Sequence, residues 1–304
     1  MRTKSSWLAT ARAEPSPGFP DGREPPTRVY TPESPVRHPV ALIRHALRDL
    51  RIARGLAWRL AARDISAQYR QTLLGYFWTL LPSLMITFVW VTLERANVVQ
   101  VSTGSIPYAV FALSGVIFWS LFIDSLNAPL NQLSQNKSMI VRVQFPPEAL
   151  LVSGVIQVAF SFAIKFALLL VVAAALSAPL QWTAPLIVIP TAAFVAFGTI
   201  VGTFLAPLGA LYKDVQQGLT AIVMPLMFLT PVIYPTAPVG IAATIMRYNP
   251  LTPIFELTRY LLFGEGGVPY TGFAIVSGGT LAVAAFGWLL FRLVMPLLIE
   301  RMDA

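Results

Sequence analysis

The sequence predicts an all-α membrane protein with six transmembrane helices, an N-terminal amphipathic helix on the membrane surface, and re-entrant outer helices between spans 5 and 6. Three observations carry that prediction. Of the 304 residues, 56% are hydrophobic and only 12% charged, and the mean hydropathy is +0.66, a composition outside the range of soluble domains. Six apolar stretches reach or approach the roughly 20 residues a helix needs to cross a hydrocarbon core. Immediately before the first of them, the stretch 63–82 changes from charged to almost wholly apolar.

Taken in order, residues 1–39 carry eight prolines, scattered charge and few large apolar side chains. They bury too little surface to offset the entropy of ordering, and read as a disordered cytoplasmic tail. Arg44, Arg48, Arg51 and Arg54 then recur at helical spacing and lead into an amphipathic helix over 40–73. At about 100° per residue, Trp58, Ala61, Ala62, Ile65 and Tyr69 share one face, with Arg59, Arg63, Ser66 and Arg70 beside it. That arrangement suits a membrane surface, where arginine heads reach water and lipid phosphate. A transmembrane domain over 74–296 follows, with spans at about 74–93, 107–129, 149–176, 185–211, 217–235 and 272–294, and a short C-terminus at 297–304.

Basic residues orient the spans. Thirteen precede Gln71, and Lys137, Arg142, Lys213, Arg292 and Arg301 fall on the same side, against Arg95, Arg247 and Arg259 on the other. By the positive-inside rule both termini are cytoplasmic, which an even number of spans satisfies. The fifth span is short and interrupted by Pro225 and Pro231, and the stretch 236–263 after it is too apolar for an ordinary external loop. It either re-enters the membrane or lies along the outer surface. Within it Thr252 can cap a helix with Pro253 at its first position and Gly264 at its end, and Glu256 and Arg259 are spaced to pair.

Composition also excludes function classes. The net charge of +8 is concentrated before the first span, which favours anionic lipid over nucleic acid as its partner. With no cysteine, and with His38 and His45 both in the cytoplasmic approach, the spans hold no thiolate, histidine base or metal cluster. No G-x-x-x-x-G-K-[ST] loop is present to cradle ATP phosphates. An enzyme is not expected.

Four blocks in this order carry a resemblance: 63–82; Gln144-Phe145-Pro146-Pro147-Glu148-Ala149-Leu150; Tyr212-Lys213-Asp214-Val215; and 228–235 with Asn249-Pro250-Leu251-Thr252. Together, over roughly 45–300, they resemble the membrane subunit of ABC-2 type polysaccharide exporters, which move O-antigen, capsule, teichoic acid or galactan across the bacterial inner membrane. The family pattern usually has Arg where Lys213 stands, and a basic residue near Pro147. The resemblance implies a homodimer, two copies of a separate ABC ATPase that carries ATP and Mg, a lipid-linked polysaccharide as cargo, and a multi-pass position in the inner membrane. An ABC-2 exporter of a drug or lipid, or a secondary transporter, are the alternatives. It further implies that the amphipathic helix is an interface helix, with Arg59, Arg63, Tyr69 and Arg70 toward lipid headgroups. Contact with the ATPase falls to Arg63, Asp64, Gln135, Lys137, Arg142, Phe145, Pro146 and Glu148. An outer gate falls to Pro231, Tyr234, Asn249, Glu256, Arg259 and Tyr260.

Ionisable residues within spans are candidates for function because charge in lipid costs several kcal/mol. Lys165 continues a row, Ser153, Gln157, Ser161, Lys165, at i+4 spacing on one helix face. That face either lines a conduit, where Lys165 meets sugar hydroxyls or a carrier pyrophosphate, or lets Lys165 snorkel outward. Asp124, near the end of its span, reads as solvated or capping. Tyr76, Trp78 and Trp119 offer flat faces for sugar stacking, or else an aromatic belt and core packing. Gly198 and Gly202 form a G-x-x-x-G close-packing signal.

Overall fold

A computed structural model of the chain describes residues 39–70, 74–99, 101–142, 147–236, 240–267 and 270–303. The tail expected at 1–39 falls outside them apart from Pro39, as do Phe145 and Pro146. Two units divide at Ala46; of the first, only the opening of a helix is described, and the packing below belongs to Ala46–Ala304. Every regular element among the described residues is helical: α1 (Pro39–Arg70), α2 (Phe77–Arg95), α3 (Tyr108–Gln135), α4 (Lys137–Arg142), α5 (Glu148–Ala175), α6 (Val188–Leu211, entered through a 3₁₀ turn at Ala184–Ile187), α7 (Lys213–Phe228), α8 (Ile241–Tyr248), α9 (Thr252–Phe263) and α10 (Tyr270–Asp303). Helices are what lipid permits, since each one satisfies its backbone hydrogen bonds internally.

The core is built on α3. In its most apolar window 78% of the residues are buried inside the protein, against 22% for α5 and α6 and 11% for α2 and α10. Helices α5, α6 and α2 pack around it, and α10 packs on α6. Phe118, Ile117, Leu113 and Leu121 on α3 meet Phe194 of α6, Leu169 of α5 and Phe255 of α9 in one apolar cluster. The G-x-x-x-G of α6 explains the closest of these contacts. A Cβ at Gly198 would stand 2.7 Å from the Ser125 Cβ, and one at Gly202 would collide with the Leu126 carbonyl, so the two backbones touch because neither position carries a side chain.

Among the described residues, five helices are long and apolar enough to cross a membrane: Phe77–Arg95, Tyr108–Gln135, Glu148–Ala175, Ala184–Leu211 and Tyr270–Trp288. The stretch expected to form a fifth crossing at 217–235 is instead α7, of 16 residues, which at 1.5 Å per residue extends about 24 Å. Its first turns are polar, with Lys213, Asp214, Gln216 and Gln217, and it stops three residues past Pro225. The chain then runs through irregular backbone in which Thr230, Val232 and Ile233 are buried.

Two local details come from the packing. The face of α1 that packs on the protein runs through Ala53, Ala57, Leu60 and Ala61, while Trp58 is 64% exposed. Small alanines let α1 approach its neighbours closely, and Leu60 joins Leu130, Leu133, Leu150 and Phe291 in a second cluster, so the bulky Trp58 is turned outward. At α9, Leu251 holds the N-cap position in place of Thr252, and the Asn249 Oδ1 accepts the Leu251 N–H at 2.9 Å. Gly264 closes that helix at φ +76°, a left-handed conformation that glycine adopts without a Cβ clash.

Candidate functional site

Three helices converge on a polar cleft of about 560 Å³. On α3, Asp124, Asn127, Asn131 and Gln135 recur at three- and four-residue intervals and so form one stripe, with Gln132 beside it. Gln157 and Ser161 face it from α5, and Asp64 and Gln68 from the end of α1. The polar row read on α5 therefore meets a second polar row on α3. Asn127, Asn131 and Gln132 had been passed over, although their spacing with Asp124 is visible in the sequence.

Charge in the cleft is already balanced. Lys165, with 8% of its side chain exposed, donates from Nζ to Asp124 Oδ2 at 2.8 Å. Its ammonium is directed at Asp124, and Asp124, read as solvated or capping, keeps 39% of its side chain exposed while forming this ion pair. Pairing offsets the cost of taking the ammonium out of water. The other acid, Asp64, accepts from Arg63 Nε at 2.8 Å and from Gln157 Nε2 at 3.0 Å. What remains to meet a ligand is chiefly carboxamide and hydroxyl, groups that donate and accept at once.

Neighbouring contacts tie the cleft to the ends of α1 and α3. Arg63 Nη2 donates to Asn136 Oδ1 at 3.0 Å, the residue immediately before α4, so α1 connects α4 to Gln157 through two adjacent side chains. Gln135 is exposed at the rim, as is Lys137 where α4 begins. Arg142 ends α4, and its side chain is not described. Glu148 is buried in the first turn of α5, where a carboxylate complements the helix dipole. Gln216 of α7 donates to Asn131 Oδ1 at 3.0 Å.

Other sequence-selected residues fall outside this cleft. Arg59 and Arg70 are exposed on α1. The Tyr69 hydroxyl shares a 2.9 Å hydrogen bond with Thr79 Oγ1, and its ring lies 4.4 Å from that of Tyr76, which also meets Phe160 at 5.8 Å. Trp78 is exposed on α2, whereas Trp119 is buried in the main cluster against Phe122.

The proposed gate residues gather at the end of the bundle away from α4. Here the irregular backbone after α7 needs hydrogen-bond partners, because buried carbonyls left bare are costly. Arg259 Nη2 donates to the Val232 carbonyl at 2.6 Å, the Tyr108 hydroxyl to the Ile233 carbonyl at 3.1 Å, and Asn249 Nδ2 to the Leu229 carbonyl at 3.1 Å. Pro231 is buried and Tyr234 packs against the main cluster, while Tyr260 is half-buried. The spacing of Glu256 and Arg259 does not produce an ion pair. Glu256 accepts from Thr236 Oγ1 at 2.7 Å, and the Arg259 guanidinium lies 3.8 Å from the Phe111 ring centroid. Among the described residues, no three His, Asp or Glu side chains are grouped to hold a metal.

Comparison with known proteins adds the remaining information. The family described as ABC-2 type transporter matches residues 56–263. A protein named O-antigen export system permease protein RfbA from Myxococcus xanthus is 25% identical over 227 residues, covering 73% of this chain and 85% of the relative. One of the same name from Klebsiella pneumoniae is 24% identical over 236 residues, covering 76% and 88%. The region matched by the family contains every residue lining the cleft and the cluster around Arg259.

Proposed function

The chain belongs to the ABC-2 type transporter family, and from that premise we propose that it is the membrane subunit of an ATP-driven exporter of a lipid-linked polysaccharide. It dimerises with a second copy and binds two copies of a separate ATPase chain, which supplies ATP hydrolysis with its Mg. Both termini face the cytoplasm of a bacterium, in its inner membrane. On this reading α7 completes a sixth crossing together with the irregular backbone after it, and 236–263 re-enters the membrane from outside. The names of the two relatives and the asymmetric placement of basic residues support the assignment.

The cleft is the observation that carries the cargo class. A polymer in transit needs many weak, reversible contacts, and a sugar hydroxyl both donates and accepts, as the carboxamides of Asn127, Asn131, Gln132 and Gln157 do. With Lys165 paired to Asp124 and Arg63 to Asp64, the described residues of the cleft offer no uncompensated cation to hold a phosphate tightly. In transport, ATP-driven movement at α4 reaches the cleft through Asn136, Arg63, Asp64 and Gln157. The test is purification with the candidate ATPase and measurement of ATP turnover with lipid-linked glycan added. Glycan is expected to stimulate turnover, with the effect reduced in Asn131→Leu. Stimulation by unrelated drugs or lipids but not by glycan would overturn the cargo assignment.

A further inference from the structure

A second cavity, also about 560 Å³, opens at the opposite end of the bundle from the cleft, and its walls come from segments far apart in the chain. The connection between α2 and α3 supplies Ser102, Thr103 and Gly104, the turn after α7 supplies Thr236, and α9 with its exit supplies Glu256, Arg259 and Glu265. Both carboxylates are held in place. Glu256 accepts from Thr236 Oγ1 at 2.7 Å, and Glu265 Oε1 accepts from the Ser105 N–H at 2.8 Å and its Oγ at 2.7 Å. Glu265 also fills the space a side chain at Gly104 would need, and Gly104 stands at φ +64°. A carboxylate accepts about four hydrogen bonds, so both acids keep acceptor capacity.

Arg259 supplies the opposite character. It is 94% buried by its relative exposure of 6%, and it is held by a backbone carbonyl and an aromatic ring, with no carboxylate in ion-pair range among the described residues. Among the described residues its Nε has no hydrogen-bond partner.

Three ligand chemistries can be weighed against this lining. A phosphate would face two fixed carboxylates. A divalent cation would share the cavity with a buried guanidinium, in a volume suited to an organic ligand. A sugar ring satisfies both charges at once, since its hydroxyls donate to Glu256 and Glu265 and accept from Arg259.

We propose that this cavity, walled by Thr236, Glu256, Arg259 and Glu265, is a saccharide-binding site separate from the cleft. Its place in transport, holding a sugar unit of the glycan on the outer side, rests on the export reading above; its chemistry does not.

The experiment uses the full chain in nanodiscs and saturation-transfer NMR with a panel of hexoses, deoxyhexoses, N-acetylhexosamines and hexuronic acids. Gly267 lines the cavity, and a Cβ there meets nothing within 4 Å, so Gly267→Phe adds a ring at its wall without disturbing the core. Measured in the Asn131→Leu background, which weakens the cleft, at least one sugar is expected to bind, with affinity lowered about tenfold or more by Gly267→Phe and by Glu265→Gln, and unchanged by Arg59→Glu on the exposed side of α1. Arg259→Lys serves as a third variant, read only if it remains folded. In that background, no binding by any sugar, binding that survives both Gly267→Phe and Glu265→Gln, or binding of calcium or inorganic phosphate in place of sugar each overturns the proposal. If glycan stimulates ATP turnover while no sugar binds here, this inference falls alone. If sugars bind here but glycan never stimulates turnover, the export reading falls and the site stands.

Discussion

Lys165 is 41 residues from Asp124 in sequence and 2.8 Å from it in space. The two differ in exposure, 8% against 39% of the side chain, and that difference decides what happens when either is removed. Without Asp124, a buried ammonium is left uncompensated. Without Lys165, the carboxylate still reaches water in the cleft. Losing one partner of a fully buried pair costs about 3–5 kcal/mol. Asp124→Leu is therefore expected to approach that range, Lys165→Met to cost clearly less, and the double variant to recover most of the loss. Thermal unfolding in detergent measures all three, and equal or reversed single-variant effects would contradict the buried-charge account. The i+4 row holding Lys165 was legible in the sequence. Its partner was not, because a lone aspartate at the end of a span carries no local sign of what it faces.

At the scale of elements, α1 shows that helical periodicity identifies a helix without telling which of its faces meets the rest of the protein. Hydrophobicity singles out Trp58, but close packing selects Ala53, Ala57 and Ala61, whose small side chains let two helices approach. The polar end of the same helix is joined to its surroundings by Arg63 to Asn136 and Asp64 to Gln157. If those contacts transmit movement from α4, Arg63→Glu and Asp64→Ala should lower glycan-stimulated ATP turnover several-fold, a hydrogen bond to a charged group being worth about 1.5–3 kcal/mol before exposure reduces it. Arg59→Glu and removal of residues 1–38 should change it much less, since Arg59 is exposed. The reverse ranking would make α1 a membrane anchor only.

For the whole molecule, the absence of cysteine permits a direct test of sidedness. Val98, exposed in the connection between α2 and α3, and Lys137, exposed at the start of α4, are separated by one crossing of α3. An impermeant thiol reagent added to intact cells should label Val98→Cys and spare Lys137→Cys until the membrane is opened. Labelling of Lys137→Cys alone in intact cells would invert the proposed orientation. The two polar cavities lie at opposite ends of the same bundle, so this experiment also assigns each of them a side.

Read alone, the sequence determined that the chain is helical, apolar and built to cross a membrane. Lipid offers the backbone no hydrogen-bond partners, so about 20 apolar residues in a row admit little else. It also located the α6 glycines, the α9 stop at Gly264 and the polar row of α5, all of which are local patterns. The tertiary structure alone decided that this row faces a second one on α3, that Lys165 is neutralised by Asp124, and that Arg259 satisfies Val232 and lies over Phe111 where a pair with Glu256 had been read. Each of these joins segments dozens of residues apart. Periodicity tells which residues share a face of one helix; only the packing of several helices tells what that face meets.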